Sequence, residues 1–553
     1  MRINSVLNFK EKIIFYLLLF ILLGGILGSL VYFYYSKTEE RPDFGGEYIE
    51  GIVGQPLHIN PVIASSNDTD ADLSQIIFSS LLKYDSEGKL INDLAESYEI
   101  SEDKTSYTIH LKQSALWHDG EKLDASDVIF TLNLITNPAF KSPLRGNWQG
   151  VSFSSDGDYV LNFKTESPYA GFIQNLTFGI LPKHIWESIG SDKFPLTDLN
   201  IEPIGSGPFK YSSYQKDSDG NILSYKLVAF PNYHSGRPFI SKLTFNFYGD
   251  EEEAVQAYNK KEIMGVGGIT PAKLSLVKLP QSTHTEKIST PRYFSVFLNQ
   301  TKSVALAHDE VRESLNLATN RETIIQEVLE GNGRDVFSPI LPGMIGYRED
   351  LGRSNFDPEK ANQILDEKGW SRGQDGIRAK DGTVLEINLI TTEWEELVKT
   401  AEILKSQWER IGAKINLHIL SISDMQQNHI RPREYDALLF GQVLGIDPDL
   451  YSFWHSNQKK DPGLNLSLFG TDDTDKLIEE GRVEFNSESR AEKYIQFQEK
   501  LAQEKPAIFL YSPDYLYIIN KKVKGLEIKN LSVPSRRFSQ VEKWYISTDR
   551  VWK

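Results

Sequence analysis

Residues Leu116–Leu132 read LWHDGEKLDASDVIFTL, and the chemistry of this stretch decides the fold class. Asp124 stands as an N-cap before an apolar stripe of Val128, Ile129, Leu132 and Ile135. Asp127, three residues on, makes an acidic variant of the capping box, and Pro138 stops the helix. Upstream, after the turn SEDKTS, Tyr107, Ile109 and Leu111 alternate with polar residues as a half-buried strand does. Downstream, Val151 and Phe153, then Tyr159, Leu161 and Phe163, flank the turn SSDGD and predict a hairpin. Strands and helix so interleaved predict a mixed α/β protein.

The same two periods continue along the chain. The turn Ile204–Phe209 (IGSGPF) enters another strand, Ile222–Phe230 and Phe239–Tyr248 read as strands, and Glu251–Lys260 reads as a helix. The second half alternates more. Val311–Glu330, Pro358–Lys368, Glu395–Ile411 and Glu488–Lys505 carry helical periodicity. Leu385–Ile390, Lys414–Leu420, Tyr435–Phe440 and the run IFLYSPDYLYII predict strands. No internal repeat and no low-complexity segment stands out.

Ile13–Tyr35 holds no charged residue. These 23 residues at helical rise span about 34 Å, enough to cross a bilayer core. Tyr32, Phe33, Tyr34 and Tyr35 form an aromatic belt at the outer end. Arg2, Lys10 and Lys12 precede the segment, against Lys37 and Arg41 after it, which places the N-terminus inside. A cleavable signal would have a shorter apolar region and a small-residue cleavage site, so the segment is expected to be retained as an anchor. Ser36–Gly46 (SKTEERPDFGG) reads as a short polar stalk.

Composition excludes several chemistries. The chain has no cysteine, which removes disulfides, thiolate catalysis, cysteine metal sites and a lipid on an N-terminal Cys. A net charge of −16 argues against nucleic acid, whose phosphates need a basic footprint. Nine Trp and 25 Tyr are ample for an aromatic-lined groove as well as for a core. The ten His are dispersed, and no zinc-protease, serine-hydrolase or phosphate-loop motif occurs. His118 beside Asp119 reads as a turn next to a strand, because a catalytic base needs partners that sequence adjacency does not supply. Ser80-Leu-Leu-Lys83 lacks the companion motifs of penicillin-recognising enzymes. The chain is expected not to be an enzyme and to need no cofactor.

The W-x-D-G-x-x-x-x-A-x-D-V pattern of Trp117–Val128 resembles a signature of the family 5 extracellular solute-binding proteins, the group of oligopeptide and dipeptide receptors of ABC importers. Further blocks follow in family order from about Tyr48 to the C-terminus. They are Leu57–Pro61, Leu81-Leu82, Leu94-Ala95, Ile204–Phe209, Asn299 with Val311–Arg321, Asp447-Pro448 with Trp454, and Pro506–Tyr511. The resemblance implies a two-lobed periplasmic-binding-protein-like clamp of three domains behind the one transmembrane helix. Residues 1–12 would be cytoplasmic, 13–35 the anchor and 36–46 the stalk. Domain I would be discontinuous (47–85, 201–285 and 512–553), with domain II at 86–200 and domain III at 286–511.

It further implies a monomeric substrate-binding component that captures a peptide between its lobes and passes it to a permease driven by ATPase subunits. The alternatives are a same-fold receptor for a metal chelate or oligosaccharide, a sensor without transport, and, in a different class, a membrane-anchored hydrolase. By the resemblance Ile63, Ala64 and Ser65 would form one wall, and Phe440, Gly441 and Gln442 the strand opposite. Arg145 and Trp148 would reach in from domain II. Asp447, Trp454 and Asn465 complete the expected ligand set. Two departures stand out: the acid that pairs with a peptide α-amine in the family aligns with Leu444, leaving Asp447 or Asp449 to substitute, and the Trp that usually accompanies it is missing, with Gly441 and Gln442 in its place.

Overall fold

The computed structural model describes residues 8–278 and 281–553, so Arg2 of the charge bias lies outside the described residues. Among them, twelve strands form one mixed sheet whose spine is the strand Ala507–Asn520. The first half of the spine pairs with Arg292–Leu298, and the second half pairs with Thr283–Ser289 and Gly265–Gly267. The partners change around Pro513, which supplies no amide hydrogen for a ladder. A second crossing lies between Thr283–Ser289 and Arg292–Leu298, at Thr290-Pro291. The two lobes are therefore joined by two extended strands, each with a proline at the crossing.

In the lobe built on Arg292–Leu298, successive residues serve opposite faces, as a strand requires. Phe294, Val296 and Leu298 pack under the helices Asp309–Leu317, Arg321–Leu329, Pro358–Glu367 and Glu395–Arg410. Tyr293 and Phe297 pack under Leu450–Trp454, Asp472–Val483 and Ser487–Glu504. In the other lobe the sheet around Glu47–Val53 shares one core with a four-stranded antiparallel sheet. That smaller sheet contains Ser106–Leu111 and the hairpin Val151–Ser155 with Val160–Thr165.

The opening motif is a structural joint. Trp117 is fully buried and its Nε1 donates to Asp127 Oδ2 (3.2 Å). Asp127 also closes the capping box with Asp124 on the helix Ala125–Thr136, and its Oδ1 accepts the Lys183 amide (2.8 Å). His118 Nε2 donates to the Gly207 carbonyl (3.0 Å), and its Nδ1 accepts the Gly205 amide (3.2 Å). It thereby ties this motif to the IGSGPF turn, with both ring nitrogens occupied by backbone. A second buried joint centres on Arg537, which donates to both oxygens of Asp72 (2.7 and 2.5 Å) and to Glu50 (3.4 and 3.3 Å). Tyr48 and Tyr517 also donate to Glu50, so its oxygens are satisfied in a site with no solvent exposure.

Three expectations need correction. Val311–Glu330 is two helices, Asp309–Leu317 and Arg321–Leu329, because the Asn320 side chain caps the second by accepting the Thr323 amide. The last central strand is Ala437–Val443, three residues beyond the predicted end. The segment expected to be a polar stalk is not free: Thr38–Pro42 is a strand paired with the C-terminal strand Thr548–Trp552. The apolar segment is the helix Phe9–Lys37, none of whose side chains is buried.

Candidate functional site: an open strand edge between the lobes

Ala437–Val443 pairs along its whole length with Arg292–Leu298 on one side. On its other side Glu386–Thr392 pairs only with Ala437 and Leu438. In an antiparallel ladder every second residue exchanges both backbone bonds with its opposite. The Leu444 amide donates to the Pro291 carbonyl (2.6 Å), which fixes the phase. Phe440 and Gln442 accordingly turn their amides to the inner strand, and Gly441 and Val443 turn theirs outward. Thr391 Oγ1 donates to the Leu439 carbonyl (3.1 Å) on the same outward side, and beyond it no strand among the described residues pairs with the edge. Val443 is 58% exposed. Gly441 is required here, since a Cβ would stand 2.7 Å from the Phe294 ring.

The other lobe faces this edge. Arg292, opposite Val443, has its pKa lowered by burial, against the pull of Glu396, Tyr511 and, from the other lobe, Asp68. Its Nε is buried without a hydrogen bond among the described residues. Glu396 is raised by burial, with Arg292 opposing. Asp68 opens the helix Asp68–Ile77, capped by Asn67. The turn before it carries Ile63 and Ala64, whose amides both donate to the Asn60 carbonyl (3.0 and 2.7 Å). These two amides are therefore used within the turn. Ser65 lies in the same 3-10 turn, and its side chain is outside the described groups.

The far end of the cleft is held by charge. Asp447 Oδ2 accepts from Arg490 Nη1 (2.6 Å), while Oδ1 is buried with no hydrogen bond among the described residues. Burial raises the Asp447 pKa further than Arg490 lowers it. Asp449 pairs with Arg482 (3.2 Å) and accepts from the Tyr169 hydroxyl across the gap (3.5 Å). The Arg482 guanidinium sits 4.6 Å from the Tyr169 ring centroid and 4.7 Å from that of Tyr451, one from each lobe. Beside this contact lies a cavity of about 480 Å³ lined by Gln149, Glu166, Tyr169, Asp449, Tyr451 and Arg482 among others.

Several residues of the expected ligand set make contacts within their own domains. Arg145 Nε donates to the Thr136 carbonyl (3.1 Å) and caps a helix of its own domain. Trp148 is buried among Phe153, Phe163, Phe172 and Phe178. Trp454 is buried against Phe297, Phe497 and Phe509. The Asn465 amide donates to the His455 and Phe469 carbonyls. Gln442 is buried and accepts from the Tyr293 hydroxyl, and Phe440 packs toward the same core. Leu444 is a core residue. Of the expected strand, the backbone of Gly441 faces outward with that of Val443. The expectation missed Arg292, Glu396, Tyr169 and Arg482. Only Arg292 carried a signal, a charge between Pro291 and an apolar strand.

Comparison with known proteins places this geometry. The family description "Bacterial extracellular solute-binding proteins, family 5 Middle" matches residues 89–463. The chain is 28% identical over 528 residues to the oligopeptide-binding protein AppA of Bacillus subtilis (strain 168), covering 93% of this chain and 94% of that protein. The structure of AppA from Bacillus subtilis in complex with a nonapeptide is similar with a TM-score of 0.71 at 26% identity, over 92% of this chain and 100% of that one. NikZ from Campylobacter jejuni in complex with Ni(L-His) gives a TM-score of 0.72 at 25% identity, over 90% and 99%. From the fold, the cleft and the match over most of its length, the chain belongs to the bacterial extracellular solute-binding proteins of family 5.

Proposed function

We propose that this chain is the membrane-held substrate-binding component of an ABC importer, and that its ligand is a peptide bound in extended form. The single observation that carries the ligand class is the outward backbone edge of Gly441 and Val443 between the lobes. An added strand is recognised by main-chain hydrogen bonds, which give affinity without strict sequence preference. The crossings at Thr290-Pro291 and Ser512-Pro513 serve as the hinge between domain III (286–511) and domains I (47–85, 201–285, 512–553) and II (86–200). Arg482 between Tyr169 and Tyr451 latches the closed state. The helix Phe9–Lys37 stays on the protein with its N-terminus inside, and the lobes work outside as a monomer beside a permease and its ATPases. No bond chemistry is assigned to the cleft.

Asp447 is already neutralised by Arg490, and Leu444 offers no charge. The receptor therefore reads the ligand backbone more than its α-amine. The test is thermal unfolding of residues 38–553 with short peptides, their N-acetylated forms and their backbone N-methylated forms. A ligand at 100 times its Kd stabilises by about 2.7 kcal/mol, readily seen. Free and acetylated peptides are expected to give similar shifts, and N-methylation at a pairing amide is expected to remove them. Val443→Pro, which deletes one outward amide and no inner one, is expected to weaken binding about tenfold, the worth of one hydrogen bond of about 1.4 kcal/mol. Shifts with metal chelates or oligosaccharides and none with any peptide would overturn the ligand assignment.

A further inference from the structure

We propose that the C-terminal strand clamps the membrane helix to the binding lobe and seats it in the lipid interface through Trp552. The inference rests on the reading that the helix Phe9–Lys37 is retained. A helix end leaves carbonyls without intrahelical partners. Here the last residues of the chain take them. The Lys553 amide donates to the Lys37 carbonyl (2.9 Å), Lys553 Nζ to that of Ser36 (3.3 Å), and Arg550 Nη2 to that of Tyr35 (3.4 Å). Both side chains are cations at the negative end of the helix dipole. Arg550 also lies 4.4 Å from the Tyr35 ring centroid and donates to the hydroxyl and carbonyl of Thr38.

No loop separates helix from strand. Thr38–Pro42 follows Lys37 directly and pairs with Thr548–Trp552, Thr38 opposite Trp552 and Pro42 opposite Thr548. The pairing then passes into the lobe: the Asp43 amide donates to Ser547, the Gly45 amide to Phe239, and the Ser241 amide to Gly46. The helix therefore continues into the lobe through hydrogen-bonded backbone, where a stalk would let the lobe swing.

Trp552 marks the depth of this joint. Its ring lies 6.4 Å from that of Phe33 and 6.1 Å from that of Tyr34, yet the residue is 63% exposed. A tryptophan beside the aromatic end of an apolar helix has its best environment at the headgroup–acyl boundary, where the ring is covered and the indole N–H stays wet. The occupant of this face is lipid, because the helix bearing Phe33 and Tyr34 continues from the same ring cluster into the bilayer. Three of the surrounding cations are paired within the protein, Arg41 with Glu39 (2.7 Å) and both Lys524 (3.3 Å) and Arg550 (3.2 Å) with Glu40, while Lys37 and Lys553 have no acid partner among the described residues. Seating should thus depend chiefly on the aromatic ring, with anionic lipid acting only through Lys37 and Lys553.

The experiment uses the full chain in phosphatidylcholine liposomes, with and without phosphatidylglycerol, carrying phosphatidylcholine brominated near the headgroup end of its acyl chains. Of the nine Trp, only Trp394 and Trp552 are exposed. Bromine quenching is expected to be at least halved in Trp552→Phe, both with and without phosphatidylglycerol. In a second readout, trypsin release of the lobes by cleavage after Lys37 should be at least tenfold faster in the variant carrying Arg550→Gln and Trp552→Ser. Peptide-induced thermal shifts should persist in both variants, showing that they fold. Equal quenching in wild type and Trp552→Phe, or equal release, would overturn the clamp while leaving the anchor in place. A mature chain whose mass shows loss of the apolar helix would instead overturn the anchor reading and the clamp with it.

Discussion

His118 gives the most quantitative test of the structure. Its pKa is pushed down to about 4, first by burial, with the hydrogen bond to Gly207 only partly opposing. A free histidine titrates near 6.5. Between these values the unfolded chain binds a proton that the folded chain does not, so stability rises with pH across the window. The contribution is present above about pH 6.5 and is lost as pH falls toward 4. At pH 5 the unfolded histidine is almost fully protonated and the folded one is not, a difference of about 1.5 pH units or about 2 kcal/mol. Geometry gives the same sign, because a proton on Nδ1 would face the Gly205 amide that this nitrogen now accepts. For a cooperative unit of 150–250 residues, about 2 kcal/mol moves Tm by about 4–8 °C. The assay is Tm at pH 7.5 and pH 5 for the wild type and His118→Asn. The variant is expected to be less stable at pH 7.5 and to lose about 4–8 °C less on acidification. Equal losses in both proteins would refute the buried neutral histidine.

Four further outcomes follow from the packing. Trp454→Ala is expected to destabilise by about 3–5 kcal/mol through the cavity left among Phe297, Phe497 and Phe509, read by denaturant unfolding. Arg537→Met leaves Glu50 and Asp72 buried without their cation and is expected to cost about 3–5 kcal/mol, with a stability loss that shrinks as pH is lowered and the carboxylates protonate. Gly441→Ala drives a methyl into the Phe294 ring; about 1–3 kcal/mol of overpacking and loss of peptide-induced thermal shift are expected. Arg482→Ala removes the contact between Tyr169 and Tyr451, and small-angle scattering of the peptide-free protein is expected to show a larger radius of gyration than wild type.

The sequence by itself determined the elements whose causes are local. The capping box at Asp124 and Asp127, the hairpin around SSDGD and the apolar run Ile13–Tyr35 each appear where neighbouring residues dictate them. The resemblance, carried by ordered motifs, gave the family and the clamp. The motifs themselves proved structural: Trp117, His118 and Asp127 are joints, and none lines the cleft. What the tertiary structure alone decided is which groups remain free after packing. Trp148, Trp454 and Asn465 look like ligand contacts in a linear reading, yet each is buried within its own domain. The binding edge is the reverse case. Gly441 and Val443 are unremarkable residues, and their outward amides exist only because Glu386–Thr392 stops pairing at Leu438. The stalk is similar, since no rule of local sequence could pair Thr38 with Trp552. Local free energy is written in neighbouring residues. Whether a backbone group is left unpaired is a property of partners tens to hundreds of positions away.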